Sequence, residues 1–205
     1  MTSTADQTCD HLAIDVATQD LLFRQARSAN TFTDEPVTDA QVEALYDLVK
    51  WAPTLMNSQP MRLVLVRTPE AKARLVTHLF GSNADKTASA PLTVIVAYDT
   101  EFHDHLPTVF PHVPAARDGF ADPDRRHEVG RAQTWLQLGY LIVGIRALGL
   151  AAGPMAGFDA AGVDADLLAG TTLRSVVVVN IGHPGPDAWF KRNPRLAYDQ
   201  VVTTQ

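Results

Sequence analysis

One cysteine, Cys9, stands in 205 residues, which excludes an internal disulfide and any cysteine-built metal knuckle. Basic charge is also scarce: the net charge is -6, and no basic patch of the kind that binds nucleic acid stands out. No apolar run is long and clean enough for a membrane span. The most apolar stretch, residues 135–152, is broken by Gln137, Arg146 and three glycines. Residues 1–20 carry Asp6, Asp10, Asp15 and Asp20 without a basic start or apolar core, so no secretory signal is visible. A soluble, cytoplasmic protein with small-molecule partners is expected. Three loud motifs are missing too. No G-x-x-x-x-G-K-[ST] loop supports a P-loop NTPase, no G-x-G-x-x-G supports a Rossmann site, and no G-x-S-x-G supplies a hydrolase nucleophile.

What is present is a chain 46% hydrophobic, enough for one domain with a sizeable core. Residues 1–13 read as a flexible N-terminus and 14–205 as a single domain. Apolar periodicity predicts a first helix over 15–29. Thr38 and Gln41 form a capping-box pattern that opens a second helix, ending before Pro53. Branched runs at 62–67, 92–98 and 174–181 predict strands. The last two lack polar alternation, so both faces of each should be covered. A helix after Pro69, a long helix over 126–148, a short strand at 150–152 and a weak helix at 163–168 complete the order. Helices first, then strands and helices intermixed, predicts an α/β or α+β sandwich around one small sheet, with α+β the class expected. Residues 99–125 hold four prolines and no sustained period, which marks either a lid or a surface insertion.

The densest polar loop is Trp51–Pro60, WAPTLMNSQP. Thr54, Asn57, Ser58 and Gln59 hydrogen-bond without charge, which suits a flat neutral ligand better than a phosphate or a metal. Arg27 and Ser28, with Asn30 beyond, offer a guanidinium fork and a hydroxyl suited to phosphate, although such a pair is commonplace at a helix end. Asn83 and Lys86 follow Gly81 in what reads as a polar loop. GPMAGFD over 153–159 gives two glycines and a proline where backbone can approach a ligand. Arg195 adds a cation near the C-terminus. His103, His105 and His112 sit near Asp99, Glu101 and Asp104; a solvated polar loop is the simpler account than zinc, so no metal is expected.

Taken in order, RSANTF, APTLMNSQP, NADK, GPMAGFD and PRL resemble the FMN-dependent nitroreductase family, over about residues 20–200. WAPT, the GPM-x-GFD turn and the FPH-containing insertion look closer still to its malonic semialdehyde reductase branch, from pyrimidine utilisation. The resemblance implies a nitroreductase-like sandwich with a small mixed central sheet flanked by helices. It implies an interlocked homodimer with FMN at the interface and NADH or NADPH as co-substrate. By motif position, Arg27, Ser28, Asn30 and Arg195 would approach the phosphate and ribityl chain. Thr54, Asn57 and Gln59 would meet the pyrimidine edge or ribityl chain, Asn83 and Lys86 the pyrimidine side, and Pro154, Met155 and Gly157 the ring. Ala26, Asn30 and Ala156 depart from the family pattern, where arginine, a basic residue and glutamate are frequent.

The activity implied is ping-pong hydride transfer through flavin, reducing malonic semialdehyde to 3-hydroxypropionate, with Arg117, Arg125 or Arg126 to meet the substrate carboxylate. Because the flavin carries the chemistry, no catalytic triad or carboxylate pair is required. The same flavin would serve a broad nitroreductase or quinone reductase. A non-catalytic flavin-binding protein is the alternative from another class.

Overall fold

The computed structural model describes residues 12–205; Cys9 and most of the expected flexible N-terminus lie outside them. Four strands form one sheet in the order β1-β2-β4-β3: β1 (Met61–Val66), β2 (Leu92–Asp99), β3 (Ala151–Met155) and β4 (Leu173–Gly182). The helices are α1 (Val16–Gln19), α2 (Asp39–Val49), α3 (Pro69–Val76), α4 (Asn83–Ser89), α5 (Leu106–Val109), α6 (Pro123–Ala147), α7 (Ala160–Asp166) and α8 (Tyr198–Val201).

The α+β class and the small helix-flanked sheet match expectation, but the pairing does not. Every pair in the sheet is antiparallel, where a mixed sheet was expected. The reason lies in the connections. β1 ends at Val66, opposite Thr93 at the start of β2, so α3 and α4 return the chain to the end it left. A parallel pair would need a crossover to the far end.

Alternation on β4 divides the core. Val177, Val179 and Ile181 pack with Val94 and Val96 against Leu45 and Val49 of α2 and Leu138, Leu141 and Ile145 of α6. Val178 and Ile95 face the other way, toward Leu75, Leu79, Val163 and Leu168. Every residue of β2 is buried, as its unbroken apolar run predicts. Gly144 permits the α2–α6 contact, since a Cβ there would stand 2.4 Å from Val49.

Two elements differ in form from expectation. The first helix stops early: α1 gives way to a π-helical turn at Asp20–Arg24, and residues 27–30 run extended. Tertiary partners displace the helical bonds, because Ala29 N donates to Ala152 O (2.9 Å) and Asn30 N to Ala188 O (3.0 Å). The segment 99–125 is not structureless either. Short helical turns at Phe102–His105 and Pro114–Phe120 flank α5, and Phe102, Leu106, Ala116 and Phe120 form a small core of their own.

Candidate active site: a basic cleft and a polar loop

The extended segment after the π-helical turn runs beside the C-terminal tail. Gly185 N donates to Thr31 O, and the Asn30 amide reaches Ala188 O. Arg27 donates to the carbonyl of Phe190, and Arg192 to that of Ala26. This pairing gathers Arg27, Ser28, Asn30 and Arg195 around one cavity of about 210 Å³, shared with Phe190, Lys191 and Arg192. No carboxylate occurs in 24–33 or 188–198. Guanidinium forks plus a hydroxyl and an amide are the donor set of a phosphate site.

Asn83 and Lys86 lie on α4, a helix where a polar loop was expected. The Asn83 amide donates to Gly157 O (3.1 Å), joining α4 to the GPMAGFD turn. Lys86 Nζ stands 5.8 Å from the centre of the Phe190 ring, on the border of the same cleft. Pro154 and Met155 end β3, with Pro154 half-buried and Met155 buried. Gly153 keeps this edge close to the 27–30 segment, since a Cβ would stand 2.7 Å from Ala29 O. Nine expected residues therefore lie along the β3 edge.

The other three do not. Thr54, Asn57 and Gln59 precede β1, at the opposite edge of the sheet. Met61 stands in register with Tyr98 and, through it, with Arg174, whereas Met155 faces Val178. At ordinary strand spacing and rise, the loop and the end of β3 are about 20 Å apart.

The loop is strained and closely tied. Met56, Asn57 and Gln59 all hold positive φ, at 52°, 50° and 44°. Such conformations persist where surrounding bonds enforce them, and they cluster at functional sites. Here Gln59 N donates to Thr54 Oγ1, and the Gln59 amide to Asn57 O. Asn57 Nδ2 donates to Val109 O (2.8 Å), fastening the loop to the 99–125 segment. Gln133 and Gln137 of α6 accept from Leu55 N and Met61 N, one at each end of the loop.

These two glutamines were missed from sequence; their signal is an i, i+4 polar pair at the start of the apolar half of α6. Asn180 was missed too. Only 1% exposed, it accepts from Thr93 Oγ1 (2.8 Å) and donates to Thr87 Oγ1 of α4 (3.2 Å), with Met155 Sδ at 3.9 Å. It ties α4 to the sheet beside Met155, and it is the polar residue inside VVVVNI. Arg62 also escaped notice: it donates to Gln59 O and pairs with Asp99 (2.9 Å), linking the loop to the start of the 99–125 segment.

Two of the three arginines expected to meet a substrate carboxylate are engaged. Arg117 pairs with Asp104 (2.7 Å), holding that carboxyl below its usual range, chiefly through their hydrogen bond. Arg126 donates to the carbonyls of Thr100, Phe120 and Ala121. The third, Arg125, stands 5.4 Å from the Phe120 ring. The histidines have close neighbours as well: His103 is buried with Glu101 at 3.7 Å, and His105 is 4.0 Å from Asp99. Among the described residues, no three His, Cys, Asp or Glu side chains converge as a metal site would need, and no helix is long and apolar enough to cross a membrane.

A model of the nitroreductase family matches residues 23–183, and the chain belongs to that family. It is similar to a Streptomyces coelicolor protein provisionally named NADH dehydrogenase/NAD(P)H nitroreductase, 58% identical over 194 residues, covering 94% of this chain and 98% of the relative. Among solved structures, it resembles an Exiguobacterium sibiricum nitroreductase in complex with FMN, at TM-score 0.79 and 16% identity, covering 95% of this chain and 99% of that one. A Staphylococcus epidermidis NAD(P)H:FMN oxidoreductase matches with TM-score 0.79 at 17% identity, covering 95% and 98%. These two likenesses establish the fold.

Proposed function

We propose that this chain is an FMN-dependent NAD(P)H oxidoreductase acting as a homodimer, each flavin held by the basic cleft of one chain and the polar loop of the other. The separation of about 20 Å between these two sets of residues within one chain carries the reading. Exposed apolar surface supports it. Trp135, Leu136 and Tyr140 of α6 are exposed, as are Tyr46, Leu48 and Trp51 on or just after α2. From Trp135 to Ile145, α6 is apolar nearly all round, and such a stretch is normally buried on all sides. The tail exposes Leu196, Tyr198, Val201 and Val202, while a cavity of about 420 Å³ lined by Val42, Tyr46, Met61, Leu63 and Leu65 lies beside edge strand β1. A second chain's tail fits that groove.

The donor chemistry of the cleft fits FMN: Arg27, Ser28, Asn30 and Arg195 hold the phosphate and ribityl end, while Asn83, Lys86, Pro154, Met155 and Gly157 line the ring side. When bound, the flavin would take a hydride from NAD(P)H and pass it to the second substrate. Asn57 and Gln59 keep carbonyl oxygens to offer a ring edge, and Lys86 adds positive charge beside it.

For the substrate, malonic semialdehyde going to 3-hydroxypropionate is the specific reading from motif resemblance. One observation bears on the broad nitroarene or quinone reductase: Arg117 and Arg126 already have internal partners, which leaves Arg125 of the three to meet a substrate carboxylate without displacing one. The test begins with colour. Purified protein should absorb near 450 nm, and NADH or NADPH should bleach it. Turnover of a nitroarene, a quinone and the semialdehyde is then compared side by side. A colourless protein that refuses added FMN sinks the flavin reading, and a strong preference for the semialdehyde sinks the broad one.

A further inference from the structure

The cleft holds more positive charge than one FMN phosphate uses. A phosphate monoester carries about two negative charges, which Arg27 and Arg195 balance. Beside their cavity lies a second of about 350 Å³, lined by Arg24, Gln25, Arg27, Trp189 and Arg192. Resting on the NAD(P)H oxidoreductase reading, we propose that this second cavity binds the 2′-phosphoadenosine end of NADPH, so that the enzyme prefers NADPH to NADH.

Three observations support a built subsite. The indole of Trp189 is 41% exposed in a cavity otherwise lined by arginines and a glutamine. It is held there by its neighbours: Ala188 is buried, its carbonyl accepts from Asn30, and Asp187 turns the chain at φ 54°. A half-exposed indole among guanidinium groups offers a stacking face for a purine beside a phosphate site. Second, Arg24 ends a five-residue π-helical turn, a rare conformation found often at functional sites. Third, cations crowd one another. Arg146, tied to the carbonyl of Leu21, is held below its usual range by burial and then by the charge of Arg192. Asp20 stands 4.0 Å from Arg24, and among the described residues no carboxylate lines the cavity itself. A bound phosphate dianion would relieve that repulsion, and NADH has no 2′-phosphate to supply it.

The test uses the full-length protein with whatever flavin it carries. Adenosine 2′,5′-bisphosphate and 5′-AMP are titrated by calorimetry, and flavin per chain is read from absorbance. The bisphosphate should bind at least about tenfold tighter than 5′-AMP. Arg24→Gln and Trp189→Leu should each weaken it about tenfold, with flavin content unchanged, while Trp189→Phe should keep most of the affinity. Thermal midpoints confirm that each variant is folded, and the ratio of KM for NADPH to KM for NADH should rise in the two weakened variants. Equal binding of the two nucleotides overturns the proposal. So do unaltered variants, or a bisphosphate that acts by expelling flavin. Because the titration needs no flavin, a colourless protein would refute the oxidoreductase reading and still leave this subsite open to measurement.

Discussion

The basic cleft and the polar loop solve opposite problems. The cleft is built from exposed or half-buried cations on backbone outside the helices and strands, and its cavity is bordered by long arginine and lysine side chains. Its specificity lies in charge and hydrogen-bond forks. The loop bears no charge, holds three non-glycine residues at positive φ, and is braced by Gln133, Gln137, Thr54 and Val109. Its specificity lies in shape. A phosphate can be caught by long side chains that adjust, whereas a planar ring edge needs acceptors and donors fixed before it arrives.

The largest expected effect tests whether the two corners meet across a dimer. Arg27→Ala with Arg195→Ala should lower FMN affinity by at least about 100-fold, since charged hydrogen bonds contribute about 1.5–3 kcal/mol each. Thr54→Ala with Asn57→Ala and Gln59→Ala should also shed flavin. Mixing these two defective chains by co-refolding should restore tight flavin to about a quarter of the sites, because half of the dimers are mixed and each holds one intact site. Fluorescence titration of FMN counts those sites. Zero recovery would place both sets of residues in one chain's site, against the separation argued from the sheet.

A smaller effect separates bracing from contact. Gln137→Leu leaves Met61 N without its partner and should cost about 1–3 kcal/mol of stability, read as a lowered denaturant midpoint. It should weaken FMN as well, because the left-handed residues lose one of their anchors. Arg192→Gln, on the cleft, should leave the midpoint nearly unchanged. If Gln137→Leu destabilises the chain while flavin affinity stays level, the loop's strain belongs to folding alone.

The two regions were also unequally legible in sequence. Buried strands announced themselves: Leu92–Asp99 and VVVVNI lack polar alternation, and packed elements cover both faces of the sheet they form. Thr38 and Gln41 predicted a capping box that the structure contains. The loop drew attention by composition, but its left-handed backbone did not, because Met56, Asn57 and Gln59 are not residues that demand positive φ. The extended path of 27–30 was illegible for a related reason. Its hydrogen bonds go to Ala152 and Ala188, more than a hundred residues away, and local periodicity cannot register them. Antiparallel pairing followed from where β1 and β2 begin and end, which single-sequence pattern leaves open.

The smallest effect concerns pH. The candidate lid, residues 99–125, touches the loop through Val109 and is fastened in part by Asp104 and Arg117. That carboxyl sits below its reference value of 3.8, first because Arg117 hydrogen-bonds to it. A depressed carboxyl contributes stability that is full above the unfolded value and disappears as pH falls through the folded one. Lid protection should therefore hold from neutrality down to about pH 4 and decline below it. Asp104→Asn should remove that dependence. Hydrogen exchange of residues 100–125, measured against β2 as an internal reference, reads the change. Protection that stays level below pH 4, or that falls equally in Asp104→Asn, would show that the Asp104–Arg117 pair does not hold this segment against the loop.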